Sequence, residues 1–210
     1  MEKTSHFDVK AATWDAEPRR RKLAREVAEG INSAVHPTKE MNALDFGCGT
    51  GYLTLFLQPH LRQIDGLDNS RGMLEVFEKK IREQRLPNVR AMYCDVESGE
   101  RPEGKYHLVV SSMTLHHVRK PRVLFRLFFD LLHPGGKLCF ADLDLEDGSY
   151  HDDKTGIFHF GFDRAELRRA LEETGFRQVL DRTAAEVTKA PAGAVSRTYT
   201  VFLICATKPL

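Results

Sequence analysis

The sequence predicts an α/β fold, a single doubly wound sheet whose strands are mostly parallel. Three observations carry this. Residues 43–54, ALDFGCGTGYLT, read as a strand, a tight glycine turn and a helix start. Residues 106–113, YHLVVSSM, form a nearly continuous apolar run, as expected of a central parallel strand covered on both faces. Between such runs lie helical periods, Met73, Leu74, Phe77 and Ile81, then Val123, Leu124, Leu127, Phe128 and Leu131.

Taken in order, residues 1–40 read as an N-terminal helical cap. Phe7, Ala11, Ala12 and Trp14 precede Asp15 and Pro18, and a helix follows through Leu23, Ala24, Val27 and Ala28, with Gly30 as its expected stop. Residues 41–210 are expected to form the main domain. Residues 61–68 alternate toward a second strand ending at Asp68. Ser70 suits a helix cap, and Met73 reads as core. Residues 89–95 read as a third strand ending in Asp95. Pro121 opens a helix, and Pro134, Gly135 and Gly136 make a turn before a strand at 137–142. Asp163 and Glu166 form a capping box for a helix that Gly175 ends. Strands at 176–187 and 197–207 follow, joined by APAG (190–193) as a hairpin, so the last strand is expected to run antiparallel. The count is seven strands.

At 210 residues, with net charge +1 and no apolar run of membrane-spanning length, the chain gives no general drive toward nucleic acid or a membrane. The N-terminus has no apolar signal region. Cys48, Cys94, Cys139 and Cys205 lack C-x-x-C spacing and read as reduced thiols of a cytoplasmic protein.

The glycine turn reads D-x-G-x-G-x-G, with Asp45 ahead of Gly47, Gly49 and Gly51. Tyr52 stands where a dinucleotide fingerprint needs glycine, and no phosphate-loop lysine follows. An acid 21 positions beyond Gly47, Asp68, suits a ribose diol. Together with Asp95, the SSMTLHH stretch after the fourth strand and the HPGG turn, the chain resembles the class I methyltransferases that use S-adenosylmethionine. The resemblance covers residues 40–210 and implies a Rossmann-like seven-stranded sheet with the last strand antiparallel. It implies cofactor contacts from Asp45, Gly47, Cys48, Gly49, Thr50, Gly51, Asp68, Asn69, Ser70, Met73, Asp95, Val96, Ser112 and Met113. FDVKAATWD resembles the segment that places an aromatic, here Trp14, over the cofactor; packing against the core is the other reading.

Methyl transfer needs a general base only where the acceptor must lose a proton. His116 and His159 are the candidate catalytic residues, with His117 and His151 nearby; no metal site is expected, since no tight ligand spacing supports one. Residues 143–162, rich in Asp, Gly and His, read as a long loop at the ligand edge of the sheet. With His116 and Trp14 the loop is expected to form an acceptor pocket. Phe158 and Phe160 would pack the acceptor, Gly148, Gly156 and Gly161 would be hinges, and the loop's acids would repel phosphates. The expected partner is a small-molecule acceptor, cationic or protic, with no nucleic acid and no membrane. Oligomeric state stays open. A protein or RNA methyltransferase, or a non-catalytic S-adenosylmethionine-binding scaffold, are the alternatives.

Overall fold

A computed structural model describes residues 6–189 and 196–210. Two helices come first, α1 (His6–Trp14) and α2 (Pro18–Val35). The βα units are β1 (Asn42–Phe46) with α3 (Tyr52–Leu57), and β2 (Gln63–Asp68) with α4 (Arg71–Gln84). Then come β3 (Val89–Tyr93), β4 (Tyr106–Ser112), α5 (Pro121–Leu131), β5 (Leu132–Leu143), α6 (Arg164–Thr174), β6 (Arg177–Lys189) and β7 (Arg197–Thr207). The sheet order is β3-β2-β1-β4-β5-β7-β6. β1 to β5 pair in parallel, and β7 runs antiparallel to both β5 and β6. APAG lies outside the described residues.

Alternation along buried strands sorts the core into two layers. Leu108 and Val110 of β4 pack with Val27 and Ile31 of α2, Leu57 of α3 and Phe77 of α4. Val109 points the other way, into Phe125 and Phe128 of α5 and Leu167 and Leu171 of α6. The sheet is therefore wound on both faces, as the fold class requires.

Four local expectations are corrected. Gly30 does not end α2: the helix runs on to Val35, and a Cβ at Gly30 would stand 2.9 Å from Leu203, so the glycine admits a close helix–strand approach. β3 stops at Tyr93, because Asp95 turns back to cap a short 3-10 turn at Val96–Ser98. β5 starts at Leu132, ahead of the glycines, and takes up the HPGG residues as a register shift against β4. Cys139 and Cys205, direct partners on β5 and β7, form a disulfide, leaving Cys48 and Cys94 as buried free thiols. The spacing of cysteines along the chain could not show this, because antiparallel register brings the two Cα atoms to 4.2 Å across 66 residues. The cytoplasmic expectation loses the support it took from four reduced thiols. Among the described residues no helix is long and apolar enough to cross a membrane.

Candidate active site

The strand order reverses between β1 and β4, and open α/β sheets hold ligands at such a point, beyond the carboxyl ends of the strands. A cavity of about 680 Å³ lies there. One wall is the glycine turn with the ends of β2, β3 and β4; the other is the loop after β5, with α1 and α2.

The turn is held by its neighbours. Gly47 and Cys48 donate their N–H groups to Leu67 O (2.8 and 3.0 Å), and Thr114 Oγ1 donates to Gly47 O (3.3 Å). Asp68 accepts from Gly49 N at 2.7 Å on one oxygen and from Ser70 N at 2.9 Å on the other. Burial pushes the Asp68 carboxyl up, against the lowering pull of those N–H groups. Asp45 is buried and accepts from Thr54 Oγ1 at 2.5 Å; burial raises it to about 7. Asp95 accepts from Glu97 N and Ser98 N on Oδ1 while lining the cavity, so it is both a cap and a wall residue. Gly49 also lines the cavity, and a Cβ there would meet nothing within 4 Å. Open space beside a backbone turn, with two carboxylates nearby, fits a nucleoside with hydroxyls to donate.

On the opposite wall His116 is buried and its Nδ1 lies 2.7 Å from Asp142 Oδ1. Burial works to raise Asp142, but His116 and the N–H groups of Leu143 and His116 outweigh it, so its carboxyl lies below the usual range. The His116 ring lies 4.1 Å from His117 and 4.9 Å from His151, centroid to centroid. Burial first, and neighbouring His116 second, lower both His117 and His151 to about 4, so both are neutral at neutral pH. His151 Nε2 is buried without a hydrogen-bond partner.

Of the expected contacts, Trp14, Asp45, Gly47, Cys48, Gly49, Thr50, Asp68, Asn69, Met73, Asp95, Val96, Ser112, Met113 and His116 line this one cavity. Gly51, Ser70 and His159 are not on its wall. A Cβ at Gly51 would fall 2.1 Å from the Phe77 ring, so Gly51 serves packing and the start of α3. Ser70 is fully buried, accepting from Met73 N and donating to Asp8. His159 Nε2 bonds Val118 O at 3.0 Å, which ties the loop down. Phe158 lines the cavity and Phe160 does not. Gly161 sits against Asp144, where a Cβ would meet its carbonyl oxygen at 2.1 Å, so it is a close approach and no hinge. Four acids of the loop are ion-paired, Asp144 with Arg164, Asp147 with Arg197, Asp152 with Lys189 and Asp153 with Lys10, and Glu146 is turned inward onto the N–H groups of Gly148 and Tyr150. They cannot repel phosphates as a bare acidic patch would, and no preference for a cationic acceptor follows. Among the described residues no group of side chains is placed to hold a metal.

Asp142 is the partner that sequence reading missed. Its signal was topological: β4 and β5 are parallel neighbours, so the residues just after β4 meet the end of β5. The latch of Asp15 on Thr50 Oγ1 (2.7 Å) and Lys80 (2.6 Å) had no sequence signal.

A model described as a methyltransferase domain matches residues 19–181. An uncharacterised methyltransferase of Schizosaccharomyces pombe is 35% identical over 135 residues, 58% of this chain and 48% of that protein. A malonyl-[acyl-carrier protein] O-methyltransferase of Halalkalibacterium halodurans is 29% identical over 201 residues, 87% of this chain and 71% of that one. The chain spans about half the length of the first curated relatives it matches. In fold it is similar to phosphoethanolamine N-methyltransferase 2 of Haemonchus contortus in complex with S-adenosyl-L-methionine. That likeness has a TM-score of 0.70 and 16% identity, and covers 87% of this chain and 52% of that one.

Proposed function

The chain belongs to the methyltransferase-domain family, and from that premise we propose that it transfers a methyl group from S-adenosylmethionine to a small-molecule acceptor. The observation that carries this is that one cavity joins the glycine turn, Asp68 and Asp95 to the His116–Asp142 pair. Asp68 would take the ribose, Asp95 and Val96 the adenine, and the turn from Asp45 to Thr50 the methionine end. The cofactor supplies an activated methyl on a sulfonium, open to in-line displacement. What the chain adds is positioning and exclusion of water. Helices α1 and α2 act as a cap in this reading, since Phe7, Trp14, Arg20 and Leu23 complete the wall. Asp142 fixes the His116 ring through Nδ1, and its Nε2 makes no hydrogen bond among the described residues, so it is placed to take a proton from an acidic O–H or N–H of the acceptor. His159 is left with a role in holding the loop.

Calorimetry with S-adenosylhomocysteine should give one site per chain, and labelled methyl should pass to a member of a hydroxylated small-molecule panel. Binding without transfer to any small molecule, protein or RNA would favour a scaffold; transfer to protein or RNA alone would replace the acceptor class.

A further inference from the structure

Six rings on the wall of the cavity form one unbroken series of contacts. Trp14 and Phe7 of α1 meet edge to face at 5.8 Å between centroids, and Phe7 meets His117 in the same way at 4.9 Å. The series passes from His117 to His116 at 4.1 Å, to His151 at 4.9 Å and on to Tyr150, also at 4.9 Å. Three separate stretches of chain supply these rings in pairs: α1, the turn after β4 and the loop after β5. Core packing does not account for them. Phe125 and Phe140, which are core rings, are fully buried, whereas only His116 of the six is buried and the other five keep surface open to the cavity.

The belt is poor in usable charge. His117 and His151 are neutral at neutral pH. The acids beside it are taken, Asp152 by Lys189, Asp153 by Lys10, and Asp142 by His116 and the Leu143 N–H. A cation entering here would meet no unpaired carboxylate on this wall among the described residues, so nothing of opposite sign offsets its desolvation. Ring faces and edges favour another ring, in stacked or edge-to-face contact, over a saturated group of equal size. The polar demand comes from His116 Nε2, which calls for an O–H.

We propose that this belt selects an uncharged aromatic acceptor, a phenol, with its hydroxyl at His116 Nε2. The proposal rests on the methyl-transfer reading above and names its acceptor class. The phenol proton passes to His116 Nε2. The oxygen–methyl bond forms as the methyl–sulfur bond breaks, and the electron pair of that bond stays on sulfur. The products are an aryl methyl ether and S-adenosylhomocysteine, and the proton on His116 is then released to solvent.

The test titrates matched alcohols by calorimetry into protein saturated with S-adenosylhomocysteine. The pairs are phenol with cyclohexanol, 4-methylphenol with 4-methylcyclohexanol and 2-naphthol with 2-decalol; choline is the cationic control. In at least one pair the phenol should bind about fivefold or more tighter than its saturated partner, and labelled methyl should pass to that phenol. Tyr150→Leu and His151→Leu should each remove most of that preference while S-adenosylhomocysteine affinity stays within twofold of wild type; either variant serves if the other fails to fold. A smaller preference in all three pairs overturns the proposal, and so does choline binding more tightly than every phenol. Equal weakening of phenols and saturated alcohols in the variants also overturns it, since the rings would then only fill space. In all these cases the methyl-transfer reading stands as long as S-adenosylhomocysteine binds. Should wild type bind no S-adenosylhomocysteine, that reading fails and the phenol assignment falls with it.

Discussion

The two walls of the cavity are built differently. On the turn wall, carboxylates meet backbone N–H groups a few residues away or one strand over, as Asp68 meets Gly49 and Ser70. On the loop wall, side chains meet side chains across the chain, as Lys10 meets Asp153 143 residues on and Ser149 meets Tyr199 50 residues on. A backbone-held wall has few ways to rearrange. A wall tied by exposed ion pairs is worth little per tie and opens locally at small cost. The turn wall therefore suits an invariant cofactor, and the loop wall suits an acceptor that must enter and leave.

The comparison breaks first at Gly51. A methyl there would overlap the buried Phe77 ring at a backbone φ of +85°. Overpacking at about 1–3 kcal/mol and left-handed strain at about 1–2 kcal/mol should lower the melting temperature of Gly51→Ala by roughly 5–15 °C. Gly49→Ala has the strain without the overlap, so its melt should move far less. Equal shifts would mean that the turn is not packed as described.

On the loop wall the largest effect should be chemical. Asp142→Asn and His116→Ala should each lower turnover by about 10²–10⁴-fold if the acceptor must lose a proton, with S-adenosylhomocysteine affinity nearly unchanged. Unaltered turnover in both would remove the base from the mechanism.

A smaller effect is pH-dependent. His117 and His151 titrate near 4 in the folded chain and near 6.5 when unfolded, so the unfolded state binds more protons between those values. The stability these two histidines contribute should be lost as pH drops from 6.5 to 4. Asp45, raised to about 7, and Asp68, also pushed up by burial, work the other way, so the histidine contribution is read as the difference between wild type and a variant without them. Thermal melts of His117→Asn/His151→Gln should show less loss on acidification than wild type.

The smallest effect belongs to His159→Ala. With Nε2 bonded to Val118 O and the ring off the cavity wall, turnover should change by no more than about threefold. A loss as large as that of His116→Ala would bring His159 back as a catalytic residue.

What was legible in the sequence follows the same division. The strands, their winding and the turn wall came through because hydrophobic period, glycine spacing and acids at strand ends are local signals. Asp163 and Gly175 marked the ends of α6 for the same reason. The misreadings came where distant chain decides. Gly30 was a stop by local rule until Leu203 set its role, and Cys139 was a free thiol until register set Cys205 beside it. Six acids between residues 142 and 153 read as a charge patch because the cations that pair with four of them, Lys10, Arg164, Lys189 and Arg197, lie outside the loop.

The most direct test is a crystal structure with S-adenosylhomocysteine bound. The ribose hydroxyls should lie within hydrogen-bond distance of the Asp68 carboxylate, the adenine beside Val96, and the sulfur should face the side of the cavity that holds His116. A nucleoside bound away from Asp68, or a sulfur turned from the His116–Asp142 wall, would contradict the account.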